Sequence, residues 1–584
     1  MASEWIERTV DESVVDALEA AGNSRLLARI LALRGVTPET LDRFLHPSMS
    51  DIAIPDGLPG VAEVVDRIRS AVLARERIVV FGDYDCDGVA STAIMVKTLS
   101  ALGCEAGTFI PERLSEGYGM NDRSIARLLA EHPDVRLVVA VDNGINSVDE
   151  IARLRRRGVD VVVIDHHLPG PELPDCPIVN PKAEPRPPEC FSCLCAAGAA
   201  FFVSHALMKR ARAEGAYSGG KIGHQLAVLA GLASITDIMP LVGQNRILVS
   251  YAISHFESHA PTGLKELLSR ASRTTPAEMN SHIFGFLIGP RINAAGRMGS
   301  AMDALKLVLA TDQDEASELA RIVDLRNTER KNVEQTMTAE AKDERHIKEG
   351  AAAQVIDLPD GHPGVAGIVA ARILEHLAKV SPDGAVPVCV AVGSHGSARA
   401  PEGYNLRKAF EACARHLSNY GGHAAAGGFS VKEGEIEAFR DEFARACEAQ
   451  KNEACGNMKD AGVPFGATPF DTWVKGSDLT EEFVRRLGSL APFGEGNPEP
   501  LFAMRGVVLK SASPIGAAAR HLRLSFGGSV PEAVWWGHGD DIEKIRAGAS
   551  SPVDILFNAA VSEYGGPHVE LRLVAMRPSA EAGR

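Results

Sequence analysis

Acidic side chains crowd a short segment near residue 85. Asp83, Asp85 and Asp87 alternate in the sequence GDYDCDG. Carboxylates at this spacing, on an extended or tightly looped backbone, can converge on a hard divalent cation. Two other interpretations stay open, an Asx-rich turn that starts the helix after Gly88 and a calcium loop. The calcium loop is disfavoured because the twelfth position counted from Asp83 is Ile94 and not Glu.

Two more candidate ligand positions lie further along the chain, each directly after an apolar run. One is Asp142 and the other is the sequence Asp165-His166-His167. An Asp at the end of a strand is common and by itself indicates little. Two adjacent histidines at such a position cannot both lie in an apolar core, so one is suited to ligate a metal ion and the other to face a substrate.

The chemistry of this ligand set points to phosphate esters. Asp and His ligands together favour Mn²⁺ or Mg²⁺ over structural zinc, which prefers thiolates. The set is larger than one ion requires, so we expect two ions about 3.5–4 Å apart, which stabilise the attacking and leaving oxygens of a displacement at phosphorus. The chain has no Walker loop, no G-x-S-x-G and no G-x-G-x-x-G after the first strand. Nothing in the sequence therefore supports NTPase, serine hydrolase or dinucleotide-dependent redox chemistry.

Short Val- and Ile-rich runs must position these residues. Runs at 78–81, 137–141 and 160–164 predict strands, and the pattern over 89–102 predicts a helix. Continuous apolar runs separated by helical stretches are typical of a parallel sheet buried on both faces. Ligands bind such sheets outside the carboxyl ends of the strands, and all three acidic turns fall at that edge.

The remainder of the chain predicts several further domains. A second, smaller α/β domain follows a long charged helix, and strand-like runs with turns between them near the C-terminus predict an all-β module in the form of a small barrel. The predicted organisation is a helical segment at 1–75, an α/β catalytic domain at 76–300, a connecting helix at 301–350, the smaller α/β domain at 351–450, a linker at 451–475 and the β module at 476–584.

Composition limits the class of protein. The chain has 584 residues, enough for three or four domains, and its 45% hydrophobic and 23% charged residues are typical of a globular protein. No apolar run reaches the roughly 18 residues of a membrane span, and no signal peptide is expected at the N-terminus. The net charge of −15 (61 − 76) argues weakly against a non-specific nucleic-acid coat, although a local basic groove can still hold a phosphate backbone.

The ten cysteines show no regular framework and are expected to be reduced thiols in the cytoplasm. Cys190, Cys193 and Cys195 form C-x2-C-x-C, with Cys176 upstream. A structural zinc site is one interpretation of this cluster. No second pair at zinc-finger spacing follows, so a proline-rich loop that leads into an apolar helix is favoured.

In combination the motifs resemble the DHH phosphoesterase superfamily and, within it, the RecJ family of single-strand-specific 5′→3′ DNA exonucleases. The superfamily motifs are Asp83–Gly88, Val141–Gly144, Asp165–His167 and Thr236–Asp237. The RecJ-like segments run in family order from about residue 25 to 578, and they include 111–119, GPRINAAGRMG at 289–299, HPGVAGIVAAR at 362–372, GSARA at 396–400, GGHAAAGGF at 421–429 and PFGEGNPEPLF at 492–502. Two residues depart from the usual family pattern, Cys86 where Ala is common and Asn143 where Cys is common.

The resemblance implies roles for individual residues. The implied metal ligands are Asp83, Asp85, Asp87, Asp142, His166 and Asp237, with Asp142 as the bridge. His167 is implied to face the scissile phosphate, and Arg291 and Asn293 to hold phosphate or stabilise developing charge. The implied DNA contacts are Arg113, Ser397 and Arg399 in a pocket for the 5′ end, His423 along the path of the strand, and Tyr118, which either stacks on a base or packs.

The resemblance also implies the fold and the activity. The expected fold is a parallel-sheet DHH catalytic domain and a smaller α/β DHH-associated domain joined by a long helix, with a C-terminal oligonucleotide-binding (OB-like) barrel. In that barrel Arg520, His521, Arg523 and the pair Trp535-Trp536 suit a stacking groove, although one Trp is expected in the core. The expected activity is a Mn²⁺- or Mg²⁺-dependent exonuclease that degrades single-stranded DNA 5′→3′ in repair and recombination.

Partners and alternatives complete the prediction. We expect a cytoplasmic monomer that acts on single-stranded DNA with a 5′ end, works with a helicase and a single-strand-binding protein, and does not contact membranes. One alternative is a DHH phosphoesterase of short oligonucleotides, cyclic dinucleotides or pyrophosphate, which needs neither the barrel nor the long connector. Another is a DNA-binding scaffold that has lost catalysis, which the intact ligand set disfavours.

Overall fold

The computed structural model describes residues 4–113, 115–117, 119–272, 278–343, 345–380, 385–461, 467–547, 551–563 and 566–579. The chain divides into two compact units, one formed by Met1–Ser48 with Gly466–Arg584 and the other by Met49–Phe465. Over the described ranges, every helix is too short or too polar to cross a membrane.

The first unit begins with a short strand and three helices. Asp11 and Ser24 cap the first two helices, because each side chain accepts a hydrogen bond from a backbone N–H in the first turn. One face of each of these two helices is apolar and buried. The elements are β1 (Trp5–Glu7), α1 (Glu12–Ala20), α2 (Arg25–Ala32) and α3 (Leu41–Leu45).

The second unit opens with the predicted parallel sheet, and the prediction is confirmed. Its five strands lie in the order β3-β2-β4-β5-β6, and all neighbours are parallel. Successive residues face opposite cores, since Val80 lies in one apolar cluster and Val79 in another. The elements are α4 (Val61–Ala74), β2 (Ile78–Phe81), α5 (Cys86–Ala101), β3 (Gly107–Phe109), α6 (Asp122–Glu131), β4 (Leu137–Val141), α7 (Val148–Arg156), β5 (Asp160–Ile164) and β6 (Ile178–Val179).

A helical layer follows the sheet and ends in a long helix. The predicted connecting segment at 301–350 contains two helices, because Asp312 caps a new helix by accepting a hydrogen bond from the Glu315 N–H. The second of them has 29 residues and is about 44 Å long. The elements are α8 (Ala196–Ala213), α9 (Ile222–Thr236), α10 (Gly243–His259), α11 (Thr262–Ala271), a π-helix (Ile283–Ile288), α12 (Gly289–Met298), α13 (Ala301–Leu309) and α14 (Gln313–Ala341).

The second unit ends with a smaller α/β layer. Its sheet has the order β10-β11-β9-β8-β7; β7 and β8 are parallel, and the remaining neighbours are antiparallel. The last helix continues into the predicted linker at 451–475, whose role as a linker stays a prediction. The elements are β7 (Gln354–Asp357), α15 (Ala366–Val380), β8 (Val388–Val392), β9 (His395–Arg399), α16 (Leu406–Ala412), β10 (Leu417–Gly422), β11 (Ala426–Val431) and α17 (Ile436–Ala461).

The first unit resumes with a seven-stranded sheet in the order β13-β14-β18-β19-β17-β16-β15. It has the predicted β character, with two helices added. Leu27 and Leu31 of α2 share a core with Phe502 and Phe557 of the sheet, and β1 pairs in parallel with β12. The elements are β12 (Thr468–Phe470), β13 (Thr472–Trp473), α18 (Glu481–Gly488), β14 (Phe502–Val507), β15 (Leu509–Ile515), β16 (His521–Phe526), β17 (Ala533–Trp535), α19 (Ile542–Ala547), β18 (Val553–Ser562) and β19 (His568–Pro578).

Candidate functional site

The acidic loop after β2 is held tightly against the start of α5. A Cβ on Gly88 would lie 2.5 Å from the Asp83 carbonyl oxygen, so only glycine allows the loop to approach this closely. Asp85 caps α5, and its Oδ1 accepts hydrogen bonds from the N–H groups of Asp87 and Gly88, both at 3.0 Å. The Asn293 Oδ1 accepts from the Cys86 N–H at 2.7 Å, which fixes the loop from the side of α12.

Asp87 connects this loop to α8. Its two carboxylate oxygens accept hydrogen bonds from the N–H groups of Ala196 and Ala197, each at 2.8 Å. These N–H groups belong to the first turn of the helix, where the helix dipole favours negative charge. The contact fixes the carboxylate although the side chain is almost fully buried.

Asp142 ends β4 in a backbone conformation that few residues adopt. Its φ is +61°, in the left-handed region, which Asp tolerates better than most residues. The Asp142 N–H donates to the Ile164 carbonyl oxygen at 3.0 Å, and the Asn143 amide donates to the Val141 carbonyl oxygen at 2.8 Å. Tertiary contacts therefore hold the strained turn that presents this carboxylate.

Asp165 is the first residue of the D-H-H sequence, and its carboxylate accepts hydrogen bonds from the protein itself. Its oxygens accept from the backbone N–H groups of Ile145 at 3.1 Å, His166 at 2.7 Å and His167 at 3.1 Å. The same carboxylate accepts from the His167 Nδ1–H at 2.8 Å. Asp165 thus orients the His167 ring through its Nδ1–H.

The carboxylates and imidazoles of four chain segments meet at the carboxyl edge of the sheet. The His166 Nε2 lies 3.3 Å from an Asp142 oxygen, 3.5 Å from an Asp237 oxygen and 3.6 Å from an Asp87 oxygen. Asp142 and His166 each belong to two of the three groups whose ligand atoms lie within 4.8 Å of one another. The groups are Asp83/Asp85/Asp142, Asp87/His166/Asp237 and Asp142/His166/His167.

Burial and like charge dominate the electrostatics of this cluster. Burial, together with neighbouring carboxylates, raises the pKa of Asp87 to about 6 and that of Asp237 to about 8, and places the pKa of Asp142 well above its usual value. Burial and then the charge of His167 lower the pKa of His166 to about 3. A cation at this edge would relieve the repulsion between the carboxylates, and a neutral His166 is suited to bind it.

The neighbouring Asp165–His167 pair shows the opposite electrostatics. Burial favours the uncharged form of each side chain. At Asp165 the hydrogen bond from His167 and the charges of His167 and His166 outweigh burial and lower the pKa of the carboxyl to about 2. Burial of the His167 ring lowers its pKa, but the hydrogen bond to Asp165 and the charges of Asp165, Asp83 and Asp237 outweigh burial. Together they raise the pKa of His167 to about 9. His167 is therefore protonated at neutral pH in the metal-free site.

Unsatisfied oxygens provide an independent test of a metal site. The Asp83 Oδ1 and Asp237 Oδ2 atoms are buried and have no hydrogen-bond partner among the described residues. Buried polar atoms are normally satisfied, so these oxygens fit ligation of a hard cation. Ile238, directly after Asp237, has φ +55°, an outlier for a β-branched residue that fits strain at a functional turn.

Three arginines form a second cluster near the acidic loop. Arg113 lies over the Tyr84 ring, with its guanidinium carbon 4.7 Å from the ring centroid. Burial, followed by the charges of Arg113 and Arg399, lowers the pKa of Arg297 to about 10. Within the described residues, no carboxylate lies at ion-pair distance from any of the three, so their charge can attract an anion. We refer to Arg113, Arg297, Arg399 and Ser397 as the arginine pocket.

Close backbone approach shapes this pocket. A Cβ on Gly367 would lie 3.0 Å from an Arg399 guanidinium nitrogen and 3.4 Å from the Ser397 hydroxyl oxygen. The Arg297 guanidinium donates to the Gly364 carbonyl oxygen at 2.9 Å. The glycines of HPGVAG therefore allow side chains from α12 and β9 to reach one place.

Arg291 and Asn293, which were predicted to contact phosphate, make contacts within the protein instead. Arg291 is largely buried and pairs with Asp324 of α14 through its Nε at 2.7 Å. Its guanidinium also donates to the Leu287 carbonyl oxygen at 2.8 Å. The Asn293 Oδ1 accepts a hydrogen bond from the Cys86 N–H, as described above. Direct contact of either residue with phosphate stays a prediction.

The other predicted residues are placed as follows. Burial, followed by the charges of Lys182 and His167, lowers the pKa of His423. His423 therefore lies within electrostatic range of the D-H-H sequence. Tyr118 lies outside the described residues. Cys190, Cys193 and Cys195 belong to no described group with metal-ligand spacing, which favours the loop interpretation.

Sequence reasoning missed two residues near these clusters. Arg297 lies in GPRINAAGRMG, and its position six residues after Arg291 was the available signal. Lys182 affects the pKa values of Asp237, His166 and His423 through its charge, and nothing in the sequence NPKAEP indicated this. The loop reaches the site because the Asn180 amide donates to the His167 carbonyl oxygen at 3.0 Å.

The C-terminal sheet has its own exposed aromatic surface. Trp535 packs on the core and stacks on His538, with ring centroids 4.1 Å apart. Trp536 is 57% exposed and meets the His521 ring edge-on at 4.7 Å. The expectation that at least one Trp of the pair is buried is met only in part, since Trp535 is partly buried against the core and Trp536 is exposed.

The fold and the site together define the class of DHH phosphoesterases. The family model described as DHH family, N-terminal domain, matches residues 77–232, and the DHHA1 domain model matches residues 350–449. The model described as RecJ OB domain matches residues 470–574. The chain belongs to the RecJ family.

Similarity to several known RecJ proteins supports this family assignment. The single-stranded-DNA-specific exonuclease RecJ of Bacillus subtilis is 31% identical over 568 residues, which cover 96% of this chain and 68% of the relative. That of Salmonella typhimurium is 32% identical over 523 residues, 85% of this chain and 86% of the relative. RecJ from Thermus thermophilus in complex with Mn²⁺ has a TM-score of 0.82 and 29% identity, and the match covers 99% of this chain and 80% of that chain. The Mg²⁺ complex has a TM-score of 0.75 at 26% identity, over 99% and 79%.

Proposed function

We propose that this protein is a metal-dependent exonuclease that hydrolyses the phosphodiester bonds of single-stranded DNA 5′→3′, in DNA repair and recombination. The observation that carries the proposal is the convergence of Asp83, Asp85, Asp87, Asp142, His166 and Asp237 at one sheet edge. Family membership supports it, since the relatives are named as single-stranded-DNA-specific exonucleases.

The carboxylates and His166 would hold the divalent cations. Asp142 is suited to bridge two sites because it belongs to two of the ligand groups. Bound there, Mn²⁺ or Mg²⁺ ions supply Lewis-acid stabilisation of phosphoryl oxygens and make hydroxide available near neutral pH. The metal complexes of Thermus thermophilus RecJ support this choice of ions.

His167 is proposed to contact the scissile phosphate. Asp165 accepts a hydrogen bond from its Nδ1–H and favours the protonated ring, and a charged imidazolium is a strong donor to a phosphoryl oxygen. A donor fixed before substrate arrives stabilises the charge that develops on the phosphoryl group without reorganisation. Asn293 acts as a positioning residue, because it holds the backbone from which the acidic loop enters α5.

The arginine pocket is proposed to bind the phosphate at the 5′ end of the strand. Guanidinium groups without carboxylate partners bind phosphate through charge-assisted hydrogen bonds, and a hydroxyl such as that of Ser397 adds a neutral donor. The Arg113 guanidinium connects the two clusters, since it stacks on Tyr84 between Asp83 and Asp85. Binding of a terminal phosphate would select ends over internal bonds, which an exonuclease requires.

The C-terminal sheet is proposed to bind the strand through Trp536, His521 and nearby basic residues. Arg520 and Arg523 are exposed on the same part of the sheet and can contact the backbone. We further propose that the chain acts as a cytoplasmic monomer with a helicase and a single-strand-binding protein. One complete ligand set within one chain supports the monomer.

One experiment tests the activity against its rivals. The wild-type protein and the Asp142→Asn variant are given Mn²⁺ and either a long 5′-labelled single strand or a dinucleotide. We expect the wild type to degrade the long strand from its 5′ end and the variant to bind but not cleave it. Preference for the dinucleotide would support the small-substrate phosphoesterase, and binding without turnover by the wild type would support a non-catalytic scaffold.

A further inference from the structure

Lys182 is a cation at the metal-binding edge of the parallel sheet that the proposed mechanism does not use. It follows β6, which ends at Val179 and pairs in parallel with β5. The Asp165 N–H, at the end of β5, donates to the Val179 carbonyl oxygen at 3.0 Å. Because parallel strands end at the same edge of a sheet, Lys182 lies at the edge that carries the D-H-H sequence.

Asn180 fixes the turn that presents Lys182. The Asn180 side chain is buried, and its amide donates to the His167 carbonyl oxygen at 3.0 Å. Its Oδ1 accepts from the Lys182 N–H at 2.7 Å, and its carbonyl oxygen accepts from the Ala183 N–H at 3.2 Å. These bonds tie the backbone of Lys182 to that of His167, so the lysine is held at the site before a substrate arrives.

The Lys182 ammonium group has no partner over the ranges that the structure describes, where it makes no hydrogen bond and no carboxylate lies at ion-pair distance from it. Burial dominates the pKa values of His166, Asp237 and His423, and the charge of Lys182 contributes to all three. His423 belongs to the smaller α/β layer, between β10 and β11. A lysine that served only to neutralise the carboxylates would pair with one of them. An unpaired ammonium group at this place is suited to an anionic ligand.

The order of strands in the sheet gives Lys182 its place along a bound substrate. The sheet runs β3-β2-β4-β5-β6. Arg113 of the arginine pocket follows β3 at one border, His167 follows β5, and Lys182 follows β6 at the opposite border. With strands about 4.8 Å apart, Lys182 lies roughly one strand spacing beyond His167, on the side away from Arg113. A single strand with its 5′ phosphate in the arginine pocket and its scissile phosphate at His167 therefore reaches Lys182 with its next phosphate.

We propose that Lys182 binds the internal phosphate on the 3′ side of the scissile bond. The inference rests on the proposed function, because it takes the 5′ end and the scissile phosphate from that assignment. An ammonium group contacts phosphate as a point charge and does not read the base. Lys182 would thus hold the part of the strand that remains after each cleavage, whatever its sequence.

The salt dependence of single-strand binding measures this contact. Binding of a 5′-phosphorylated oligothymidine to the full-length chain is followed by fluorescence anisotropy in Ca²⁺, and a denaturing gel shows whether the strand stays intact. Each phosphate contact adds about 0.7 to the slope of log affinity against log salt for a single strand. We expect Lys182→Ala to lose about 0.7 of slope, equivalent to about fivefold in affinity at 0.1 M salt relative to 1 M salt. Lys182→Arg, which keeps the charge, should retain the slope.

Lys209→Ala is the matched control, because it removes the same charge from the same unit. Lys209 lies about 20 Å along α8 from Ala196, whose N–H holds Asp87. This variant should bind the strand with the slope of the wild type.

An uncharged methylphosphonate, placed at one linkage at a time, locates the contact. At the linkage directly 3′ of the scissile bond it should weaken binding by the wild type and cost Lys182→Ala nothing further, a non-additivity expected only of groups in contact. Equal slopes for the wild type and Lys182→Ala, or non-additivity at the 5′-terminal phosphate, would overturn the proposal. An unchanged slope with raised Mn²⁺ affinity would assign Lys182 a purely electrostatic effect on the metal ligands and would also overturn it.

Cleavage of a long 5′-labelled strand by the wild type in Mn²⁺ is measured in parallel. If the wild type degrades the strand 5′→3′ and the Lys182→Ala slope is unchanged, only the Lys182 contact is wrong. If the wild type does not degrade it, the proposed function fails and this inference fails with it.

Discussion

Replacing Asp165 by Asn separates the orientation of His167 from metal ligation. The carboxylate is fully buried and accepts four hydrogen bonds, including the one from the His167 Nδ1–H. An Asn side chain keeps one accepting oxygen and replaces the other by an NH₂ group. If that oxygen faces the D-H-H backbone, the NH₂ group faces the Ile145 N–H, and two donors oppose each other.

The structure sets the expected size of the effects. One buried N–H without an acceptor costs about 1–3 kcal/mol, and losing the charge from the remaining bonds adds roughly 1 kcal/mol, so we expect unfolding free energy to fall by about 2–4 kcal/mol at neutral pH. The pKa of Asp165 is lowered to about 2, so its stabilising contribution is present above the unfolded value near 4 and is lost as pH falls toward 2. The stability difference between wild type and variant should shrink over that range.

The activity of the Asp165→Asn variant tests the proposed orientation of His167 more directly than its stability does. Without the carboxylate, His167 loses the hydrogen bond and the opposite charge that raise its pKa, so the variant ring gives up its proton at a lower pH than the wild-type ring. Loss of one positioned donor lowers turnover by about 10²- to 10³-fold. We expect the ratio of variant to wild-type kcat to rise as pH is lowered from 8 to 6, where the variant ring regains its proton.

The assay is the pH dependence of kcat at saturating Mn²⁺, with Mn²⁺ affinity measured by titration calorimetry. Asp165 belongs to none of the groups with metal-ligand spacing among the described residues, so affinity should change less than threefold, a ΔΔG of about 0.6 kcal/mol. A large loss of Mn²⁺ affinity with a pH-independent activity ratio would show that Asp165 is a ligand and that the orientation argument is wrong.

Three further predictions concern the arginine pocket, the metal linkage and the C-terminal sheet. Arg399→Ala should weaken discrimination between 5′-phosphate and 5′-hydroxyl strands more than overall binding in competition assays, and an equal effect on both ends would reject the pocket. The pKa values of Asp87 and Asp237 are raised to about 6 and about 8, so the metal-free protein loses stability as pH rises from the unfolded value near 4 to about 8. Between pH 6 and pH 8 most of this loss comes from Asp237. Mn²⁺ should therefore raise the Tm more at pH 8 than at pH 6 and release protons on binding, and a pH-independent shift would contradict this. Trp536→Ala should weaken single-strand binding by about 1–3 kcal/mol while Trp536→Phe retains most of it, and an unchanged affinity would remove this residue from the DNA path.

Local pattern was sufficient to predict the strands and the acidic turns. The runs at 78–81, 137–141 and 160–164 match β2, β4 and β5 residue for residue. Parallel strands place their carboxyl ends at one edge, so the grouping of Asp142 with His166 follows from topology once the strands are known. The same reasoning could not assign Asp165, because whether a carboxylate faces a metal or the backbone depends on contacts made with Ile145.

Longer-range packing decided the features that the sequence left open. Residues 1–48 join the C-terminal unit because α2 shares its core, and no local periodicity encodes a partner more than 400 residues away. Arg297 could be identified as a candidate only from the tertiary structure, which places α12 beside the HPGVAG segment and Arg399. Arg291, expected to face phosphate, pairs with Asp324 of α14.

The sequence by itself determined the chemistry of this protein, since the types and order of Asp and His residues after buried strands specify a hard-metal centre. Tertiary structure alone decided which groups bind, which orient and which merely support. The physical reason is that ligand identity is a property of each side chain, whereas hydrogen-bond partners, burial and pKa depend on neighbours brought together by packing across distant segments.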